Sequence, residues 1–108
     1  MDMLYYIYIG SNRVTIDHLS KIAGGMFMAV SSCNKAAKVI DGIRERYNTS
    51  ILYEESTPQK DSQNITFLHK RFPRVYIILI TEGLQKEHRK LYLQAGVNNT
   101  LSPMACST

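Results

Sequence analysis

The sequence predicts one α/β domain of three layers, in which helices cover both faces of a five-stranded parallel sheet. Apolar runs of strand length alternate with segments whose apolar residues recur every three or four positions. The runs are hydrophobic throughout, as expected for strands that are buried on both faces. A chain of 108 residues, of which 44% are hydrophobic, suits one compact domain. We therefore expect residues 1–108 to form a single domain.

The predicted strands are apolar or aromatic runs that end at glycine, proline or a polar cluster. They cover residues 4–9, 27–30, 51–53, 75–80 and 97–101. Helices between successive strands make right-handed crossovers, which keep the strands parallel. The economical arrangement is a flavodoxin-like sheet with the strand order 2-1-3-4-5.

Four helices are predicted between these strands. Thr15 is the expected N-cap of the first helix and Ser32 that of the second, whose apolar face runs as far as Tyr47. A polar loop over residues 58–63 is expected before the third helix. Gly96 is in the usual place for a glycine cap at the end of the fourth.

No helical pattern follows the last strand. The sheet face that such a helix would cover is expected to expose apolar side chains, which is unfavourable. We therefore expect the last helix to be missing or truncated, and the chain to be the N-terminal part of a longer protein or to pair with a copy of itself.

Composition excludes several classes of function. The formal charge of +4 is mild, and the basic residues of the second half fit the solvated faces of helices better than a nucleic-acid surface. Glycines form neither a dinucleotide-binding turn nor a P-loop. We found no membrane-spanning run and no cleavable leader, which favours the cytoplasm. Direct binding of nucleic acid and insertion into a membrane are not expected.

Cysteine and histidine show no catalytic or metal-binding spacing. Cys33 and Cys106 are expected to be free thiols in a reducing compartment. His18, His69 and His88 lie on separate predicted helices, and His88 falls on an apolar face where packing is the simpler interpretation. The sequence therefore predicts no metal, no cofactor and no enzyme.

Several segments in this order resemble the receiver domain of two-component response regulators. Glu54, followed by Pro58, resembles the phospho-acceptor aspartate and the proline of its loop. Residues 78–81 resemble the fourth strand, with Thr81 as its hydroxyl residue. Residues 94–99 resemble the Ala-Gly-Ala-Asp-Asp segment, and residues 101–103 resemble the Leu-Thr-Lys-Pro end. The resemblance covers the chain apart from the last helix.

Departures from the receiver pattern fall on the residues that carry its chemistry. Gly10 and Ser11 stand where the resemblance implies an acidic pair that holds a divalent cation, and Mg²⁺ sites usually depend on carboxylates. Glu54 is longer than aspartate by about 1.5 Å, a displacement that costs on the order of a hundredfold in rate. Ser102 replaces the lysine before the last proline, and Thr100 lies near the place of the aromatic switch residue. Of these positions only Thr81 keeps its identity.

Two roles remain open for Glu54. It either mimics part of a phosphorylated state by accepting a hydrogen bond from Thr81, or it is a solvated carboxylate left from a lost site. The interaction surface is expected on the fourth helix and fifth strand, with Lys86, Arg89, Lys90 and Tyr92.

Three functions are consistent with these residues. The first is a degenerate receiver, or pseudo-receiver, that regulates by binding a protein partner, its own C-terminal output domain or a second copy, without aspartyl phosphorylation. The second is a regulatory N-terminal module of a larger protein, such as a DNA-binding regulator or a sugar-phosphate transferase. The third is an atypical receiver that is still phosphorylated in a phosphorelay.

Overall fold

The computed structural model describes residues 3–24 and 26–103. Their elements are, in chain order, β1 (Met3–Ile9), α1 (Arg13–Ile22), β2 (Met26–Val30), α2 (Cys33–Ile43), β3 (Tyr47–Glu54), α3 (Pro58–Arg71), β4 (Tyr76–Ile80), α4 (Lys86–Ala95) and β5 (Asn99–Leu101). All neighbouring strands are parallel, in the order β2-β1-β3-β4-β5. The predicted fold class and strand order are confirmed. No helix in this part of the chain is long and apolar enough to cross a bilayer.

The two faces of the sheet form two separate cores. Alternate side chains of the strands, among them Ile7, Ile51 and Leu79, pack under α2, α3 and α4 in the larger core. The intervening side chains, among them Tyr8 and Leu52, pack under α1 in the smaller one. The strands are therefore buried on both faces at their centres, which explains why their sequences are hydrophobic throughout.

Capping residues define the starts of the first two helices. Ser32 accepts a hydrogen bond from the Lys35 N–H, as predicted. The prediction for α1 was wrong, because Asn12 is the N-cap and its side chain accepts from the N–H groups of Val14 and Thr15. Thr15 lies inside α1 and is buried.

The third strand begins earlier than predicted. Tyr47, which we expected on α2, is the first residue of β3 and pairs with Met3 of β1. Its ring contacts Tyr5 edge-on at a centroid distance of 5.3 Å. Helical spacing alone placed Tyr47 on α2, and pairing with β1 overrides that local preference.

The expected loop over residues 58–63 is helical. Pro58 is the first residue of α3, where its fixed φ suits a helix and its missing N–H is not needed. The polar composition of this segment reflects its exposure at several positions rather than an irregular backbone.

The smaller core leaves part of its sheet face open. Tyr76 is 43% exposed, and Ile78 and Leu101 beside it are only half-buried. We call these three residues the open face. The predicted absence of a helix after the last strand concerns positions beyond Pro103, which lie outside the described residues. Cys106 also lies outside them.

Candidate functional site

The candidate site lies at the carboxyl edge of the sheet, where the ends of three strands meet. The register pairs Ile9 of β1 with Tyr53 of β3, and Glu54 with Ile80 of β4. The residues that follow these strands, namely Gly10, Ser11, Glu55 and Thr81, are thus brought to one edge. Ligands of open α/β sheets bind at this edge.

Glu54 is held by the start of α1. Its Oε2 atom accepts hydrogen bonds from the Tyr8 hydroxyl at 2.7 Å, the Ser11 N–H at 2.8 Å and the Asn12 N–H at 3.1 Å. We call this arrangement the Glu54 clamp. Because Asn12 is the N-cap of α1, the carboxylate lies at the positive end of that helix, which favours a negative charge.

Gly10 makes room for the clamp. A Cβ atom built on Gly10 would lie 2.6 Å from the Glu54 Cβ and would overlap its carboxylate. The side chain of Glu54 therefore occupies the space next to position 10, which carries an acidic residue in the resembled family.

Tyr8 is a fixed hydrogen-bond donor in the clamp. Its side chain is completely buried. Burial, followed by the hydrogen bond and charge of Glu54, raises the pKa of the Tyr8 phenol well above its usual value. The phenol therefore stays protonated and donates to Glu54 at physiological pH.

Thr81 contacts the neighbouring carboxylate. Its hydroxyl donates to Glu55 Oε1 at 2.7 Å and also accepts from the Gly83 N–H at 3.2 Å. Of the two roles that the sequence left open for Glu54, the one in which it accepts a hydrogen bond from Thr81 is wrong. Successive side chains of a strand point to opposite faces, so Glu54 turns toward α1 and Glu55 is the carboxylate within reach of β4.

The resembled family implies a divalent cation at this edge, and the residues present do not fit one. Gly10 and Ser11 offer no carboxylate, and the three donors around Glu54 Oε2 direct hydrogen atoms to the place where a cation would bind. Within residues 3–24 and 26–103, no three His, Cys, Asp or Glu side chains are grouped as potential ligands.

A third carboxylate, Asp61, is fully buried beside this edge. It accepts hydrogen bonds from the hydroxyls of Tyr53, Ser56 and Tyr92 at 3.1, 2.8 and 2.7 Å, and from the Ser56 N–H at 2.7 Å. We call this the Asp61 network. Burial is the main cause that raises the pKa of Tyr53 and Tyr92, so both phenols remain donors. The network joins β3, the loop after it, α3 and α4.

Sequence analysis did not identify Asp61. An acidic residue in the first turn of a helix is common, because it interacts favourably with the helix dipole. Pro58 at the first helical position could have located that turn. The burial of Asp61, however, depends on Tyr92, which lies 31 residues away in sequence.

A cleft of about 440 Å³ opens between α2 and α3 at this edge. Its polar walls include Ser31, Asn34, Ser56 and Lys60. Cys33, also in the wall, is buried, and burial together with the charge of Asp61 raises the pKa of its thiol to about 11. The start of a helix normally lowers a thiol pKa, but here burial outweighs it. Cys33 is therefore a neutral thiol near pH 7 and a weak nucleophile.

The predicted interaction surface is divided by the structure. Lys86, Arg89 and Lys90 are exposed on α4. Tyr92 does not belong to that surface, because it is only 1% exposed and its hydroxyl is bound by Asp61. Tyr92 and Ala95 are three positions apart on α4, so they share the buried face of the helix.

The remaining predicted positions lie apart from the clamp. Ser102 follows β5 and is half-buried. His18, His69 and His88 lie on α1, α3 and α4 respectively. His69 packs against Gly96, where an added Cβ would lie 2.7 Å from the imidazole.

Comparison of the fold identifies its class: the chain has the receiver fold of CheY-like proteins and response regulators. It is similar to the CheY-like protein TadZ of Pseudomonas aeruginosa, with a TM-score of 0.76 and 12% identity over 94% of this chain and 82% of that one. A two-component response regulator of Legionella pneumophila matches with a TM-score of 0.70 and 11% identity, over 96% and 95% of the two chains. The response regulator RcsB of Salmonella typhimurium matches 99% of this chain and 55% of its own length, with a TM-score of 0.61 and 14% identity. No protein-family model and no curated protein matches the sequence.

Proposed function

We propose that this chain is a degenerate receiver that regulates by protein–protein interaction, without aspartyl phosphorylation and without enzymatic activity of its own. The Glu54 clamp carries the proposal. In it, the side chain at the phospho-acceptor position is bound by protein donors that a metal ion and a phosphoryl group would have to displace.

The chemistry of phosphoryl transfer supports this function. Attack on a phosphoryl group needs a free carboxylate oxygen in line with the leaving group and a cation that offsets the developing negative charge. Three hydrogen bonds to Glu54 Oε2 withdraw negative charge from the whole carboxylate, which lowers the nucleophilicity of both oxygens, and they fix the direction of the group. Glu55 binds the Thr81 hydroxyl, so the hydroxyl retained from the family pattern is also engaged.

Two carboxylates connect the carboxyl edge of the sheet without phosphorylation. A carboxylate at the start of α1 and a second one on Thr81 join the ends of β1, β3 and β4 by permanent contacts. We infer that the domain is held in one signalling state, and that its output is set by whether a partner is bound.

The partner surface proposed here is the exposed side of α4. Lys86, Arg89 and Lys90 place three positive charges there, and Leu93 beside them is 57% exposed. A basic rim with an apolar residue suits an acidic protein surface, because charges set orientation and apolar contact adds affinity. The occupant is a separate protein, an output domain of the same protein or a second copy.

Amide-detected NMR tests the loss of phosphoryl chemistry. Mg²⁺ and beryllofluoride are added to the full chain, with a phosphorylatable receiver as the positive control. We expect the amides of Ser11, Glu55 and Thr81 to stay unshifted in this chain and to move at the matching positions of the control. Saturable, Mg²⁺-dependent shifts at these residues would instead establish an atypical phosphorylatable receiver.

A regulatory module of a larger protein is the second candidate. The match to RcsB supports it, because the present chain spans about half of that response regulator. A DNA-binding regulator or a sugar-phosphate transferase is the host proposed from the sequence. Reading the gene beyond the codon for Thr108 tests this candidate, and an immediate stop codon would contradict it.

A further inference from the structure

A second cleft lies at the opposite, amino end of the sheet. It has a volume of about 500 Å³ and lies between the ends of α2 and α3 and the starts of β3 and β4. Small-molecule sites commonly have volumes of about 300–1,000 Å³. The cleft shares no lining residue with the Glu54 clamp or the Asp61 network, and neither of them accounts for its composition.

Arginine dominates the charge of this cleft. Arg44, Arg71 and Arg74 all line it. Asp41 binds Arg71 at 2.6 Å and lies 3.8 Å from Arg44, and Glu45 also lines the cleft, so two carboxylates face three guanidinium groups. Each guanidinium has five N–H donors, and a single carboxylate leaves most of them available. The cleft therefore has a net positive charge and free donors.

Thr49 gives the cleft an unused polar group. It lines the cleft, its side chain is 8% exposed, and its buried hydroxyl has no hydrogen-bond partner in the described part of the chain. An unpartnered buried hydroxyl destabilises a fold, whereas valine has the same shape without that cost. The Oγ1 atom has almost no exposed surface in this conformation, so rotation about χ1 is needed to turn the hydroxyl toward the cleft, where a bound molecule would supply its partner.

The other walls of the cleft are apolar. Phe72, Pro73 and Val75 contribute to them, and the guanidinium of Arg71 lies 5.4 Å from the centre of the Phe72 ring. Stacking on the ring and the bond to Asp41 hold Arg71 in place, so its donors are already oriented.

We propose that this cleft binds a small organic phosphate, with the phosphate among Arg44, Arg71 and Arg74 and an apolar group against Phe72 and Val75. Guanidinium groups match phosphate oxygens by paired hydrogen bonds. After rotation about χ1, the Thr49 hydroxyl donates to an oxygen of the ligand. The site is independent of the Glu54 clamp, so it adds a chemical input to the protein.

Amide-detected NMR with three probes tests the ligand class. Phenyl phosphate, inorganic phosphate and phenol are each titrated into the full chain. We expect saturable shifts of Thr49, Arg74 and Val75 with phenyl phosphate, weaker binding of inorganic phosphate at the same residues, and no shifts with phenol. Shifts with phenol alone, or phosphate-induced shifts spread over all exposed basic residues, would overturn the proposal.

Charge variants locate the binding. Arg74→Gln is expected to weaken phenyl phosphate binding by about tenfold, since it removes a charge-assisted hydrogen bond. Arg46→Gln is the matched control, because Arg46 is exposed nearby but does not line the cleft. The affinity of the Arg46→Gln chain for phenyl phosphate should stay within about twofold of that of the unaltered chain. Equal effects of the two changes would show non-specific attraction and contradict the site.

Thr49 variants separate a ligand role from a packing role. Thr49→Val is expected to raise the midpoint of urea unfolding, because it removes the unpartnered hydroxyl. The same change is expected to weaken phenyl phosphate binding by about tenfold, because it removes the hydrogen bond to the ligand. Thr49→Ser keeps the hydroxyl and should keep the affinity. Unchanged affinity in Thr49→Val would overturn the role of this hydroxyl.

Discussion

Gly10 lies directly against the side chain of Glu54, and the missing Cβ atom of Gly10 is what allows the carboxylate to reach the backbone of Ser11 and Asn12. The two departures from the receiver pattern are therefore coupled. A longer acidic residue at the end of β3 is accommodated because the residue after β1 has no side chain.

Gly10→Ala tests this coupling. The added methyl group overlaps the Glu54 carboxylate, so the free energy of unfolding should fall by about 1–3 kcal/mol. A Glu54→Gly background also removes the Glu54 Cβ atom that lies 2.6 Å from the added methyl group, so only the backbone strain at the positive φ of Gly10 remains. The same change should therefore cost about 1 kcal/mol less in that background. Urea unfolding of the four chains measures both values, and an equal cost in the two backgrounds would mean that the contact is absent.

The bond between Tyr8 and Glu54 should contribute to stability. Glu54→Ala leaves the buried Tyr8 hydroxyl and two N–H groups without their acceptor, and we expect a loss of about 1–3 kcal/mol in the free energy of unfolding. Tyr8→Phe removes only the hydroxyl. Thermodynamic coupling of about 0.5–3 kcal/mol between the two changes is expected. Glu45→Ala, at an exposed glutamate, is the control and should change stability by less than about 0.5 kcal/mol.

Asp61 should matter more to stability than any exposed carboxylate. Asp61→Asn removes the charge and turns an amide N–H₂ toward two of the four donors, so we expect a loss of about 3 kcal/mol in the free energy of unfolding. Tyr92→Phe removes one bond to Asp61 and should cost about 1.5 kcal/mol. Thermal and urea unfolding measure these losses. If Asp61→Asn were as stable as the unaltered chain, the network would not be a stabilising element.

Cys33 should react slowly near neutral pH. Its pKa is raised from about 9 to about 11, so the thiolate that attacks iodoacetamide is scarce until strongly alkaline pH. Cys106→Ser leaves Cys33 as the single thiol for the measurement. A rate at pH 8 equal to that of a free cysteine peptide would contradict the burial of this thiol.

The same shift has a consequence for stability. A raised pKa means that the fold favours the protonated thiol, so its contribution is complete below about pH 9 and is lost as the pH rises through about 11. The free energy of unfolding of the Cys33→Ala chain should therefore decline less between these pH values than that of the unaltered chain.

The open face should associate with a second copy. Tyr76 is 43% exposed beside the half-buried Ile78 and Leu101, and we expect light scattering to show a concentration-dependent dimer. Tyr76→Lys should shift the equilibrium toward the monomer. Met26→Lys is the matched control, since Met26 is 47% exposed and lies at the β2 edge on the other side of the sheet. A strictly monomeric chain at high concentration would rule out pairing through this face.

The amino-acid sequence alone determined the strand order, the apolar core and the loss of the acidic pair at Gly10 and Ser11. The apolar core and the missing carboxylates depend on hydrophobic period and residue type, which are local properties. The strand order followed from the alternation of strands and helices and from the right-handed crossovers that this alternation requires. Helix boundaries near Tyr47 and Pro58 were less well predicted, because pairing with β1 and the position of a proline in the first turn decide them.

Only the tertiary structure decided what the carboxylates contact. Glu54 binds the start of α1 and Thr81 binds Glu55, while Asp61 is buried under Tyr92. Each of these contacts joins residues at least 26 positions apart. Such partners are set by the strand register and by the face of the sheet on which each side chain lies. Neither is encoded in the spacing of residues along the chain.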